Sequence, residues 1–203
     1  MAAPAVPQRS SVTAQHSSPD GMSVIKVGGS LATIPHALDR VCGELARASQ
    51  DHRLLIVPGG GPFANAVREF ERQVGMSSDA AHWMAILAMD QYAHVLVGRI
   101  AGAVLVDEPG AVAEMVALGR AAVLTPSRWM RSADVLPHTW EVTSDSIAAF
   151  VAGALDAARL FLSKPTAAGE TVDAYFTTAL PRGMPYSVLG YDRIEQLSQR
   201  LSE

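Results

Sequence analysis

Cysteine is nearly absent from this 203-residue chain: Cys42 stands alone, so no disulfide can form within it, and a single unpaired thiol fits a reducing compartment. Runs of Lys or Arg are missing as well. The formal net charge is −4 and the pI about 5.8, with scattered cations, which excludes the basic footprint that nucleic acid demands. No uncharged apolar stretch reaches the ~18 residues of a membrane-spanning helix. No basic start followed by an apolar run marks a secretory signal. No cluster of Cys and His is spaced for a metal, and the GxxxxGK[ST] phosphate loop does not occur. These absences lead us to expect a cytoplasmic protein that engages neither nucleic acid nor membrane and holds no metal of its own.

What is present is an ordinary globular composition, 49% hydrophobic and 18% charged. Residues 1–21, rich in Pro, Ser and Ala, read as a flexible tail or an over-long start. Residues 22–203 read as a single domain, since neither repeat nor linker interrupts them. Strands are expected at Ser23–Val27, Leu54–Val57, Val104–Asp107, Ala121–Leu124, Arg159–Ser163 and Ser187–Leu189. Helical patterns fall at His36–Arg47, Phe63–Gln73, Ser78–Arg99, Ala111–Leu118, Asp145–Ala158, Val172–Leu180 and Ile194–Leu201. Phe63, Val67 and Phe70 are assigned to the core side of their helix, and Cys42 to a helix core. This alternation predicts an α/β three-layer sandwich around a mainly parallel sheet.

Three motifs carry chemistry. In Lys26-Val27-Gly28-Gly29-Ser30, a lysine near a strand end is followed by glycines whose bare amides suit an anion. A tight strand-to-helix turn with an incidental lysine accounts for it equally well. Pro58-Gly59-Gly60-Gly61 closes another strand and opens a helix, again a site for phosphate or carboxylate. Two such turns at the carboxyl ends of parallel strands argue together for one shared anion site. Gly59, Gly61 and Ala64 also satisfy a dinucleotide fingerprint. Its acidic partner would have to be Asp79, which opens a helix rather than closing a strand, so that reading fails. In Thr143-Ser144-Asp145-Ser146, Ser144 can cap a helix and Asp145 can complement its dipole. Asp145 can equally orient a lysine or help hold Mg2+ beside a transferring phosphate.

In this order the three motifs resemble the amino-acid-kinase superfamily, and they imply the fold shared by carbamate-kinase-like proteins. Longer stretches, Pro58–Arg68, Ser78–Gln91 and Trp140–Ser146, are similar to one branch, the [5-(aminomethyl)furan-3-yl]methyl phosphate kinases of methanofuran biosynthesis. The resemblance covers about Met22 to Leu162, and more weakly Val172 onward. It implies transfer of phosphate from ATP, with Mg2+, to a small phosphate monoester. It assigns Lys26, Asp145 and Arg182 to catalysis, Gly28, Gly29, Ser30, Gly59, Gly60 and Gly61 to phosphate, and Lys164 to the nucleotide. Asn65, His82, Trp83, Thr143 and Ser144 would meet the acceptor, with Trp83 stacking on its ring.

The resembled family usually follows the strand Arg159–Ser163 with an acidic Thr-Asp-Val-Asp-Gly-type segment. Here Ser163–Glu170 lacks the acidic pair, and the connection to Val172 is short. The nucleotide side is therefore expected to be altered or completed by a partner subunit. A catalytically silent relative that binds a phosphorylated metabolite or a partner, and a kinase of another phosphate acceptor, stand as alternatives. A homo-oligomer is expected by the resemblance, with the helix bearing Met84, Leu87, Tyr92 and Leu96 as one interface candidate; packing within the monomer is the other reading of that helix.

Overall fold

Every pairing in the sheet is parallel, so the carboxyl ends of all strands, and the loops that leave them, gather along one edge. The computed structural model describes residues 21–167 and 171–203. The tail read at residues 1–21 falls almost wholly outside them, as do residues 168–170 of the short connection.

The six strands are β1 (Ser23–Val27), β2 (Leu54–Pro58), β3 (Val104–Val106), β4 (Ala122–Leu124), β5 (Arg159–Lys164) and β6 (Tyr186–Gly190), in the order β3-β4-β2-β1-β5-β6. The helices are α1 (Ala37–Ala48), α2 (Gly61–Val74), α3 (Ser78–Val97), α4 (Pro109–Ala117), α5 (Ser127–Ala133), α6 (Ser144–Ala154), α7 (Phe176–Ala179) and α8 (Leu197–Leu201). Two 3-10 turns, Gly29–Thr33 and Tyr191–Gln196, follow β1 and β6.

Side chains alternate across a strand, and here both faces are apolar. Val24, Leu55, Val57, Leu160 and Leu162 pack with α4, α5, α6 and α7 on one face. Ile25, Val27, Leu54, Ile56 and Phe161 pack with α1, the second half of α3 and the C-terminal turns on the other. The expected three-layer arrangement around a parallel sheet is what forms. Cys42 lies in the second layer, where burial pushes its thiol up to about 12, which suits a packing role rather than a nucleophile.

Several local expectations are corrected. Val172–Leu180 is helical only over Phe176–Ala179. Ser78, which the sequence suggests as the cap of α3, is its first residue, and the cap is Ser77, whose hydroxyl accepts the Ala80 N–H. Ser127, which the sequence suggests as the cap of a short helical turn, is instead the first residue of α5, and its N–H donates to Asp90 on α3. Of the apolar side chains of α2, Val67 alone is buried, while Phe63 and Phe70 are 37% and 49% exposed. Tyr92 and Leu96 are interior residues of the monomer, and Leu87 is exposed.

The turns after β1 and β2 pack backbone against backbone. A Cβ on Gly29 would lie 2.1 Å from the Gly61 nitrogen, and one on Gly28 would lie 2.7 Å from the Ser163 carbonyl oxygen. Only hydrogen fits at either place. By contrast, Gly43 in α1 has open space around it. We expect Gly29→Ala to lower stability by about 1–3 kcal/mol or more through forced overlap. Gly43→Ala is expected to raise it by ~0.5–1 kcal/mol, the ordinary cost of glycine in a helix. Equilibrium urea unfolding of the two variants checks both signs.

Candidate active site

Lys26 occupies the fourth position of β1 and Lys164 the last position of β5, an adjacent strand. Both point to the layer that holds α6, because they share the alternation of Val24, Leu160 and Leu162. Asp145, in the first turn of α6, lies between them. Lys26 Nζ is 2.8 Å from Asp145 Oδ1, a contact of charges without hydrogen-bond alignment, and Lys164 Nζ donates to Oδ2 at 2.9 Å. Lys164 also donates to the Thr171 carbonyl at 2.6 Å. All three residues are nearly buried, at 6%, 3% and 6% exposure for Lys26, Asp145 and Lys164. Burial alone would raise the Asp145 carboxyl, but the two ammonium groups outweigh it and hold it below the usual carboxylate range. Lys26 and Lys164 are the only lysines in the chain; every other cation is arginine or histidine.

Beside this centre opens a cavity of about 330 Å³. Gly29, Ser30, Gly60 and Gly61 line it, so both glycine turns reach one space. Gly28 and Gly59 do not. Their N–H groups donate to the Ser163 and Val27 carbonyls at 2.8 Å and extend the sheet. Tyr92, buried beneath, directs its hydroxyl toward the Gly28 carbonyl at 3.5 Å. Asn65, His82, Thr143 and Ser144 also line the cavity. Thr143 is the cap of α6 and Ser144 its first residue, so the wall of the cavity runs directly into Asp145.

Lys26, Asp145 and Lys164 lie behind this lining and are not part of it, and two further assigned residues stand apart from both. Trp83 packs on the Arg131 guanidinium, 4.5 Å from the ring centroid, and edge-on to His138, and it is not among the lining residues. Arg182 is exposed in the connection leading into β6, at the amino edge of the sheet and opposite the glycine turns. In a parallel sheet a residue before a strand and a residue after one cannot share an edge.

Residues that sequence reasoning did not assign complete the cavity. Arg68 lies over Trp140, with its guanidinium carbon 4.2 Å from the ring centroid, and both line the space. The Trp140 indole N–H donates to Glu71, three residues beyond Arg68 on α2. The helical i, i+3 spacing of a cation and a carboxylate ahead of Trp140 was visible, but nothing local told that a loop 70 residues away would land on it. Asp173, in the stretch between β5 and α7, was equally silent.

His138 fastens the loop that carries Trp140. Its Nδ1 meets Asp79 on α3, and its Nε2 meets Asp134 at 2.9 Å. Both ring nitrogens can donate at once only in the imidazolium form. Burial works against that form, but the two carboxylates prevail and raise the His138 pKa. His82 stacks on this ring at 4.0 Å between centroids. Burial first, and then the His138 charge, pull its pKa down to about 4, so a neutral imidazole faces the cavity.

These shifts have opposite signs in stability. The His82 contribution is present above its unfolded pKa of about 6.5 and is lost as pH falls toward 4. The His138 contribution is present below about 6.5 and is lost as pH rises through its raised pKa. We therefore expect His82→Gln to flatten the fall in urea midpoint between pH 7 and pH 5. His138→Gln should flatten the fall on the alkaline side. An unchanged pH profile in both variants would contradict the assignment. Asp145→Ala, which removes the only carboxylate that Lys26 and Lys164 are seen to share, should cost about 3–5 kcal/mol in the same assay.

Comparison with known proteins agrees with the fold. The sequence profile of the amino acid kinase family matches residues 21–164. The [5-(aminomethyl)furan-3-yl]methyl phosphate kinase of Methanocaldococcus jannaschii is 29% identical over 144 residues, covering 70% of this chain and 65% of that protein, a little under two thirds of its length. In structure, the chain is similar to the uridylate kinase from Archaeoglobus fulgidus, with a TM-score of 0.68 and 15% identity over 89% of this chain and 95% of that one. It is also similar to the UMP kinase from Bacillus anthracis, with a TM-score of 0.70 and 13% identity over 89% and 91%. At such identities the likeness concerns the fold. With the profile spanning most of the chain and the fold in agreement, this protein belongs to the amino acid kinase family.

Proposed function

We propose that this protein is a kinase that transfers the γ-phosphoryl group of ATP to the phosphate of a small phosphate monoester, giving a diphosphate and ADP. We take the acceptor to be an aminomethylfuran-methyl phosphate in methanofuran-type one-carbon cofactor synthesis, on the strength of the relative named for that reaction. One observation carries the kinase reading. The chain's only two lysines converge on a single buried carboxylate, at the edge where both glycine turns open into one cavity.

In this reading the backbone amides at Gly29 and Ser30 and the ammonium groups of Lys26 and Lys164 receive the transferring phosphoryl group. Asp145 accepts a hydrogen bond from Lys164 and pairs by charge with Lys26, whose N–H groups face the phosphate oxygens in this reading. Gly60, Gly61 and the Arg68 guanidinium hold the acceptor phosphate, with Asn65, His82, Thr143, Ser144 and the Trp140 ring around the rest of the molecule. Phosphoryl transfer asks little covalent chemistry of a protein, so positioning and charge neutralisation do the catalysis. Magnesium is a different matter. Among the described residues no three His, Cys, Asp or Glu side chains gather to hold a metal, and both Asp145 oxygens are engaged by lysines. Mg2+ enters this reading only with the phosphates of the nucleotide, and no step depends on a protein ligand to it.

We also read the protein as a cytoplasmic homo-oligomer. Among the described residues no helix is long and apolar enough to cross a membrane. Exposed Phe63, Phe70 and Leu87 border an apolar groove between α2 and α3, where we place self-association.

Isothermal titration with ATP and Mg2+ tests the reading. Lys26→Ala should weaken binding about tenfold or more, the ~1.5–3 kcal/mol of a charge-assisted hydrogen bond. Turnover should then follow with the furan phosphate and not with UMP. A folded protein that binds no ATP would instead be a silent homologue or one completed by a partner subunit. Turnover of UMP alone would overturn the acceptor.

A further inference from the structure

The first turn of α6 must be held at a fixed height for Asp145 to meet both lysines. Helices often secure this turn with a capping box, in which the side chain three residues past the cap reaches back to the N–H of the cap residue. In α6 that position is Ser146, too short to do so. The contact is supplied from elsewhere. Asp173, in the irregular stretch between β5 and α7, accepts the Thr143 N–H at 2.9 Å, the Ser146 N–H at 3.0 Å and the Thr143 hydroxyl at 2.7 Å on one oxygen. Its other oxygen accepts the Ser146 hydroxyl. Four donors from one turn thus converge on a carboxylate that lies 27 to 30 residues away in sequence.

The stretch that delivers Asp173 has a second attachment. Two residues earlier, the Thr171 carbonyl accepts from Lys164. The stretch from Thr171 to Asp173 therefore grips the cap of α6 and one lysine together. On its other side, the same turn of α6 presents Thr143 and Ser144 to the cavity.

We propose that Asp173 is a positioning residue of this active site. It fixes the first turn of α6, and through Asp145 it fixes the Nζ atoms of Lys26 and Lys164. It need not touch substrate; its carboxylate is consumed by the helix. Negative charge at a helix N-terminus is stabilising in itself, but a surface cap could supply that. A cap tied to Thr171 makes the position of the lysine pair depend on the conformation of the segment that follows β5. This inference rests on the kinase reading only for its effect on turnover.

The composition of the chain supplies a direct test. With two lysines, amine-selective acetylation followed by peptide mass spectrometry reads Lys26 and Lys164 without background from other side chains. In the wild-type protein both should react slowly. Asp173→Asn should raise the rate at both about tenfold or more, with Asp145→Asn as the positive control. Ser146→Ala, which deletes one hydroxyl contact, should raise both by a smaller factor. Val41→Ala, in the opposite layer, reports what a loss of stability alone does, and it should leave both lysines slow. If Asp173→Asn does not fold, Ser146→Ala decides. Labelling at the wild-type rate in a folded Asp173→Asn, or in Ser146→Ala when that variant decides, would overturn the proposal, as would an equal rise in Val41→Ala. In the active enzyme, Asp173→Asn should lower kcat about tenfold while the KM for ATP stays within about threefold. Increased labelling in a protein that proves to have no kinase activity would leave the positioning role standing and remove the proposed function.

Discussion

A single buried carboxylate shared by two ammonium groups constrains most of this structure. Taking three charges out of water is expensive, and the cost is met only if each finds its partner at close range. That requirement fixes β1 beside β5 with Lys26 and Lys164 on the same face, and it fixes the first turn of α6 above them. The remaining cations being arginine or histidine, the use of lysine at these two positions is a chemical choice. A compact ammonium needs less room in a buried place than a planar guanidinium fork does.

Around that centre the site divides into two parts with different physics. At Gly28, Gly29 and Gly59 the glycine turns pack backbone against backbone, too closely for a side chain. The far side of the cavity is held by polar and aromatic contacts: Arg68 on Trp140, Trp140 on Glu71, and His138 between Asp79 and Asp134. Such contacts respond to pH and salt far more than buried backbone packing does.

The fold was largely legible because its signals are local. Leu54–Val57 and Arg159–Ser163 are continuous apolar runs of the kind buried on both faces of a sheet, and glycine clusters mark where two strands end. Lys26, the glycine turns and Asp145 were legible for the same reason. What escaped depended on contacts distant in sequence. The apolar side chains of α2 suggested a wider buried face than Val67 alone provides. Helical periodicity over Val172–Leu180 concealed an irregular stretch whose purpose is to bring Asp173 to another helix. Arg182 attracted notice by its charge, yet its place before β6 sets it at the wrong edge of the sheet. Lys164 was linked to the nucleotide, while its shared use of Asp145 became visible only when β5 was seen to lie next to β1.

The central claim is that this lysine pair receives the transferring phosphate, and nitrogen-15 NMR of protein labelled at lysine tests it most directly. Only two side-chain amine signals should be present. Titration with a non-hydrolysable ATP analogue and Mg2+ should shift both Nζ signals together and saturate at one nucleotide per chain. If the nucleotide binds and neither signal moves, the phosphates lie elsewhere, and the account of this site is wrong.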